Sequence, residues 1–182
     1  METLGVDDVL DAVAEGRAHI GLAYNPPPHP RIEYRASASQ PVGLLVRPDH
    51  PLALRGGAAS VRDLLAYPLA LMPPSFGIGH AAAMLEFAEN IRIRPTLVTN
   101  SLAALKQFVA YRDYMTLIGG ESAAYREIAA GNLTVVPIDH PLFLGTQARL
   151  LVKRSRPLPA AALKLLEHIE CDMPMFAKGR KR

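Results

Sequence analysis

Residues 69–119 read LALMPPSFGIGHAAAMLEFAENIRIRPTLVTNSLAALKQFVAYRDYMTLIG. Short apolar runs at Leu69–Met72, Thr96–Val98 and Tyr114–Ile118 alternate with longer stretches of helical composition at Gly79–Glu89 and Leu102–Ala110. Runs of three to five apolar residues suit strands, whereas stretches of nine or more with Ala, Leu, Glu and Lys suit helices. Strands alternating with helices of this length imply crossover connections and a mainly parallel sheet, hence an α/β fold. The alternation continues with a helix at Ser122–Ala130, closed by Gly131, and a strand at Leu133–Val136.

Working outward, Val6, Val9, Leu10 and Val13 fall at i, i+3, i+4 and i+7, with Asp7 and Asp8 in the first turn and Gly16 after the last, which predicts a capped amphipathic helix. The run His19–Tyr24 suits a strand buried on both faces, stopped by Asn25-Pro26-Pro27-Pro28-His29-Pro30. Strands follow at Arg31–Ala36 and Val42–Val46, then a break at Arg47–Pro51 and a short helix at Val61–Ala66. Towards the other end, Ala148–Val152 suits a strand. Pro159 opens a helix reaching Glu170, with Ala162, Leu166 and Ile169 inward. Asp-His-Pro-Leu occurs twice, at 49–52 and 139–142, each copy after a strand and before a change of direction. Paired Pro-containing breaks suit two chain crossings, and two unrelated loop entries fit the spacing equally well.

Composition bounds the function. With 49% hydrophobic and 20% charged residues, the 182-residue chain is globular and able to bury one core or two small ones. No run reaches the roughly 18 apolar residues of a membrane span, and the N-terminus carries Glu2, Asp7 and Asp8 in place of a basic leader. A cytoplasmic location and no membrane partner are expected. Cys171 is the single cysteine, so an intramolecular disulfide and a cysteine metal cage are excluded. The net charge is +3, but Lys178, Arg180, Lys181 and Arg182 supply four positive charges, and removing them leaves a body of −1. Such a body lacks the basic surface that phosphate neutralisation requires, and residues 176–182 are expected to be a disordered basic tail.

The chemical motifs are few. Gly77-Ile78-Gly79-His80-Ala81-Ala82 satisfies the relaxed dinucleotide pattern G-x-G-x-x-A between a strand and a helix. However, Pro73–Phe76 separate strand and glycine, and the next strand ends at Thr99-Asn100 without the acid that holds a ribose. Two readings of these residues stand. They form either a flexible loop offering backbone N–H groups and the Ser75 hydroxyl to a ligand at a helix N-terminus, or a plain cap by Ser75 or Gly77. Asn100 and Ser101 are likewise favoured caps ahead of an apolar helix, and Thr3 precedes the first helix in the same way. Histidines 19, 29, 50, 80, 140 and 168 show no paired metal spacing, and adjacent Asp and His in extended chain point to opposite faces, so neither pair builds a base and its orienter. Ser75 has no G-x-S-x-G elbow. No catalytic centre, metal site or cofactor is expected.

The stretch Val9–Leu22, a helix, Gly16 and then a strand containing Ile20-Gly21-Leu22, resembles the effector-binding domain of LysR-type transcriptional regulators, whose strand usually reads D-I-G-L; His19 replaces the Asp. Pro41–Val46 leading into Asp49-His50-Pro51-Leu52-Ala53 is similar to the family's first crossing and its H-P-L-A signature. Asn100-Ser101, the strand ending at Ile118, and Ala148–Val152 before a final helix stand in the family's order, so that the likeness spans about Gly5 to Glu170. Where the family has glycines this chain has Tyr111–Tyr114, and that turn is expected to differ.

The resemblance implies a two-lobed type 2 periplasmic-binding-protein-like α/β fold with mainly parallel sheets, flanking helices and two interlobe crossings, near Val42–Pro48 and Leu144–Leu151. Residues 1–43 and 147–175 would form the first lobe, incomplete at its front, and 44–146 the second. It further implies sensing of a small-molecule effector in the interlobe cleft by Thr3, Ser75, Phe76, Gly77, Asn100, Ser101 and Gly119. The helix N-termini favour a carboxylate or other anion, and Met72, Phe76 and Tyr111 admit an apolar or aromatic body. DNA would be contacted through a helix-turn-helix absent from this chain. An absent first strand and helix would leave the face around Val9, Ile20 and Leu22 uncovered, so a homodimer or higher homo-oligomer is expected. A solute-binding protein of the same fold and, further off, a nucleotide-dependent α/β enzyme are the alternatives.

Overall fold

The computed structural model describes residues 2–111 and 113–177; the basic block Lys178–Arg182 lies outside the described residues. The helices are α1 (Val6–Glu15), α2 (Pro51–Arg55), α3 (Asp63–Ala66), α4 (Gly77–Glu89), α5 (Leu102–Val109), α6 (Tyr125–Ala129), α7 (Pro141–Leu144), α8 (Ala160–Asp172) and α9 (Pro174–Ala177). The strands are β1 (Ile20–Tyr24), β2 (Ile32–Ser39), β3 (Val42–Val46), β4 (Leu69–Leu71), β5 (Leu97–Val98), β6 (Met115–Gly119), β7 (Thr134–Pro137) and β8 (Gln147–Lys153). The chain forms two compact units and passes between them at Gln40–Pro41 and Thr146–Gln147.

The first unit, residues up to Gln40 and from Gln147 on, holds a sheet of order β1-β8-β2, antiparallel throughout. Helix α1 ends at Gly16, whose φ of +81° is the left-handed conformation that closes a helix. It buries Leu10, Val13 and Ala14 against Ala23, Ile32 and Leu151. Gly21 lets it approach: a Cβ there would stand 2.8 Å from Val9 Cγ1 and 3.0 Å from Val13 Cγ2. On the opposite face Ala38, Leu150 and Val152 pack against Leu166 of α8 and Phe176 of α9. Strand β2 supplies both faces through a β-bulge between Tyr34 and Ala36: Ile32 and Tyr34 turn to the α1 side, Ala36 and Ala38 to the α8 side. One inserted residue, Arg35, reverses the side-chain alternation.

Two expectations are corrected in this unit. Strand β1 is not buried on both faces, because α1 covers Gly21 and Ala23 while Leu22 on the other face stays 38% exposed. Phe176, expected in the tail beside the basic block, is buried in the α8–α9 cluster, since an aromatic ring gains more from that burial than its charged neighbours impose.

The second unit, Pro41–Thr146, holds a five-stranded sheet of order β5-β4-β6-β3-β7. Strand β4 pairs in parallel with β5 and β6, while β3 is antiparallel to both β6 and β7. Where mainly parallel sheets were expected, the first unit's sheet is therefore antiparallel and the second unit's is mixed. The strand–helix alternation does set β4, β5, β6 and β7 in one direction, and β3 alone opposes them. In each sheet the reversed strand, β3 or β8, is the one the chain forms on arriving from the other unit, with no crossover helix to turn it round. All five residues of β3 are buried. Val42, Leu44 and Val46 join the main cluster with Leu69, Leu85, Met115 and Phe143, and Leu45 joins Val109, Ile118 and Leu133 on the opposite face.

Both Asp-His-Pro-Leu copies lie inside this unit, so they are not the crossings. Each instead starts a single helical turn, α2 or α7, with Pro at its first position and the preceding histidine as N-cap. Nδ1 of His50 accepts from the Leu52 N–H at 3.1 Å, and Nδ1 of His140 accepts from the Leu142 N–H at 3.3 Å. Histidine is an uncommon cap, which is why these turns were hidden among the breaks. His140 turns Nε2 to Glu89 at 3.1 Å, whereas His50 is fully buried beside Tyr67, and its Nε2 has no hydrogen-bond partner among the described residues.

Burial lowers the His50 pKa below its ordinary value, and the backbone and carboxylate of Asp113 together with Asp49 only partly oppose it. The unfolded chain therefore takes up a proton near the ordinary 6.5 that the folded chain refuses. Stability from this group is complete above that pH and is lost as the pH falls from there through the folded-state value. His50→Asn keeps a capping acceptor and removes the titration, so urea denaturation between pH 7 and pH 5 should show a smaller loss of stability in this variant than in the parent. Equal losses would assign the titration to other groups.

Candidate functional site

Because β4 lies between β5 and β6 and runs parallel to both, the carboxyl ends of all three open on one edge of the second unit's sheet. Ligand sites of open α/β sheets form at such edges. The segments leaving it are 72–76 into α4, 99–101 into α5 and 119–120 into a 3-10 turn at Glu121–Ala124. Five of the seven residues expected to hold a ligand stand on these segments, and a sixth, Gly77, is the first residue of α4.

Helix α4 starts at Gly77 with Phe76, in extended conformation, as its N-cap. A phenyl ring offers no oxygen to the first N–H groups, and the exposed Ser75 stands one residue too early, so neither Ser75 nor Gly77 is the cap. The loop is packed down where a flexible one was expected. Phe76 N–H donates to the Pro73 carbonyl at 2.9 Å, and at Gly79 a Cβ would fall 2.2 Å from the Pro73 oxygen and 2.4 Å from the Met72 oxygen. This also disposes of the nucleotide pattern. The space beside the second glycine, which that fingerprint reserves for a pyrophosphate, is filled by two carbonyl oxygens that would repel one.

At α5 the pair Asn100-Ser101 divides its roles. Ser101 is the N-cap, its Oγ accepting from the Ala104 N–H at 3.2 Å, while Thr99 Oγ1 accepts from the Ser101 N–H at 3.2 Å. The Thr99 N–H donates to the Leu71 carbonyl at 3.1 Å and carries the β4–β5 pairing up to the site. Asn100 is exposed, and its amide forms no hydrogen bond among the described residues. Gly119 ends β6, buried and opposite Val42, and the Gly120 N–H donates to the Pro41 carbonyl at 3.1 Å, so the start of β3 walls this side. Neither α4 nor α5 has an acidic residue in its first turn, which leaves the positive ends of both helix dipoles uncompensated by a carboxylate; Glu121 opens the 3-10 turn nearby.

Thr3 is not part of this edge. It belongs to the first unit, exposed, two residues before Gly5, the N-cap of α1. Tyr111 is 66% exposed beyond α5, which closes on Ala110 in right-handed conformation.

A groove of about 650 Å³ lies at the opposite end of the same sheet, where β3 ends and β7 begins. Sequence patterns gave no sign of it, because its residues, Arg47, Asp49, Lys106, Glu127 and Asn132 among them, come from four separate segments. Its charges are already matched. Arg47 holds Asp49 through two bonds of 2.8 and 2.6 Å, and Lys106 meets Glu127 at 2.6 Å. These contacts hold both carboxylates below their ordinary pKa. The carboxyl edge, with an uncommitted amide and the uncapped N–H groups of α4, is the better candidate. Among the described residues, no group of three His, Cys, Asp or Glu gathers to hold a metal, and no helix is long and apolar enough to cross a membrane.

The family model of the LysR substrate binding domain matches residues 1–173. The chain belongs to this family. LysR substrate-binding domains are the effector-sensing modules of LysR-type transcriptional regulators and have the type 2 periplasmic-binding-protein-like fold, which the two mixed α/β units fit. Among solved structures, the effector binding domain of QuiR in complex with shikimate aligns with a TM-score of 0.69 at 15% identity, over 90% of this chain and 75% of that one. The regulatory domain of CcmR from Synechocystis PCC6803, in complex with 2-PG, gives 0.70 at 16% over 93% and 80%. The reduced form of OxyR from N. meningitidis gives 0.71 at 13% over 96% and 81%. At these identities the likeness establishes the fold alone. Comparison with curated protein sequences gives no match.

The divided roles of the α5 entry have a direct consequence for stability. Ser101→Ala removes the cap and should cost about 1 kcal/mol in urea denaturation, whereas Asn100→Ala should leave the midpoint unchanged. A loss of similar size in Asn100→Ala would show that its amide serves the fold.

Proposed function

We propose that this LysR-family domain senses a small anionic effector, a carboxylate in the first instance, at the carboxyl edge of the second unit's sheet. The observation that carries the reading is the meeting there of two helix N-termini without first-turn acids beside the exposed, uncommitted Asn100 amide. In this reading the N–H groups of Gly77 and Ile78 and the hydroxyl of Ser75 receive the anion from the α4 side. Asn100 and the backbone of Ser101 receive it from α5, and Gly119 and Phe76 shape the wall. That QuiR and CcmR were solved with shikimate and 2-PG supports a ligand of small size.

The domain acts by binding and carries out no catalysis, in the cytoplasm. Contact with DNA falls to a helix-turn-helix and not to either α/β unit. Self-association belongs to the same proposal: β1 is an edge strand that pairs, among the described residues, with β8 alone, and Leu22 is 38% exposed on it, so strand and side chain together offer a surface to a second copy.

A panel of small carboxylates and phosphorylated carboxylates, screened by thermal shift on the whole chain, should contain a stabilising compound. For that compound, Asn100→Ala should weaken binding by about 1.5–3 kcal/mol if it meets the charged group, on the order of tenfold or more in affinity, at unchanged denaturation midpoint. Unchanged affinity would remove Asn100 from the site.

A further inference from the structure

Among the described residues the edge strands are β1 and β2 in the first unit and β5 and β7 in the second. An open edge invites another strand, and proteins guard it with charges, bulges, prolines or shortness. Three of these edges are guarded. Strand β2 carries the bulge between Tyr34 and Ala36 with Glu33 and Arg35 exposed beside it, β5 is two residues long, and β7 ends in Pro137, whose carbonyl accepts from the Ala59 N–H at 2.7 Å. Strand β1, Ile20-Gly21-Leu22-Ala23-Tyr24, has no charge, no proline and no bulge in its pairing with β8.

That pairing fixes which backbone groups point outward. The Asn25 N–H donates to the Gln147 carbonyl at 2.9 Å, and along an antiparallel strand alternate residues make such bonds to one neighbour. Gly21 and Ala23 therefore face β8. The N–H and C=O groups of Ile20 and Leu22 face the open edge, where no hydrogen bond meets them among the described residues. The side chains of these two residues lie on the sheet face away from α1, where Ile20 packs towards the α8 cluster and Leu22 stays exposed.

We infer that two copies of the chain pair β1 with β1 in antiparallel fashion about a two-fold axis at Leu22, joining their three-stranded sheets into one of six strands. The inference rests on the self-association proposed above and gives it a register. Leu22 and the partner's Leu22 exchange two N–H···O bonds with Cα atoms about 5.5 Å apart, and their side chains cover each other. Ile20 stands opposite the partner's Tyr24 and Gly21 opposite the partner's Ala23, so large residues meet on one face and small ones meet beneath α1. No charged residue of either strand is brought against a like charge. The same axis sets α1, which lies over Gly21 through Val9 and Val13, antiparallel to its counterpart on one face. The helix dipoles then oppose each other, and the acidic first turn, Asp7 and Asp8, lies towards the partner's cationic end at Arg17. A contact of this symmetry closes at two copies.

Sedimentation of the whole chain should show an equilibrium of monomer and dimer without larger species, and amide exchange at Ile20 and Leu22 should slow as the concentration rises. Leu22→Asp places two carboxylates on the axis and should weaken dimerisation by about tenfold or more at an unchanged urea midpoint. General loosening would move both. In a Cys171→Ser background, Leu22→Cys should form a disulfide between copies on mild oxidation, since paired Cα atoms at about 5.5 Å suit one, whereas Ser37→Cys on the guarded β2 edge should not. The cross-link decides the matter where Leu22→Asp fails to fold. A dimer indifferent to Leu22→Asp, or one that cross-links no faster at position 22 than at position 37, would overturn this pairing and leave self-association by another surface standing. A monomer at every concentration would overturn both.

Discussion

The insertion of β3 between β6 and β7 is the constraint on which the second unit depends. Its five residues are buried on both faces, Leu44 and Val46 in one cluster and Leu45 in the other, so a slip of one position would exchange the two sets. Gly43 marks how tightly the strand is held: a Cβ there would stand 2.5 Å from Val135 Cγ1 and 3.0 Å from the Val136 oxygen. The pairing of Val42 with Gly119 fixes where β6 ends, and the Pro41 carbonyl then fixes the Gly120 N–H that opens the next segment. Through β6 the register passes to β4 and on to β5. The edge on which Ser75, Asn100 and Gly119 stand is thus set by a strand that contributes none of them. Strand β8 has the matching place in the first unit, where its residues face both α1 and α8.

What the chain's local chemistry displays is the kind and order of its elements. Val6 to Gly16 announce a helix through spacing and caps, and the apolar runs at Leu69, Leu97 and Met115 announce strands because each is bounded by proline, glycine or a capping residue. Pairing direction is not local. Nothing within Val42–Val46 or Ala148–Val152 records that these strands enter reversed, because that follows from which unit the chain has just left. The bulge at Arg35 and the histidine caps of α2 and α7 were equally hidden: the first is a relation between β2 and β8, and the second uses a residue type with little capping preference.

The candidate site divides along the same line. Residues ahead of helices after short strands are visible as a pattern, and Ser75 to Gly77, Asn100, Ser101 and Gly119 do stand at one edge because parallel strands place their carboxyl ends together. Their individual roles needed hydrogen bonds. Ser101 spends its hydroxyl on Ala104 and Asn100 does not, and Gly79 serves the close approach of the Met72 and Pro73 carbonyls in place of a phosphate. Thr3 shares the pattern but belongs to the other unit. The family relationship supplies what neither pattern nor hydrogen bonds could, that such an edge in this fold belongs to an effector-sensing module of transcriptional regulators.

The claim that one edge of the second unit gathers the effector is tested most directly by amide hydrogen exchange with and without a stabilising carboxylate. Slowed exchange should concentrate at residues 76–78, 100–102 and 119–120, three segments distant in sequence that only the parallel strand ends unite. Slowing confined to the groove lined by Ala103, Gln107 and Asn132, with the carboxyl edge unchanged, would contradict the account and move the effector to the opposite end of the sheet.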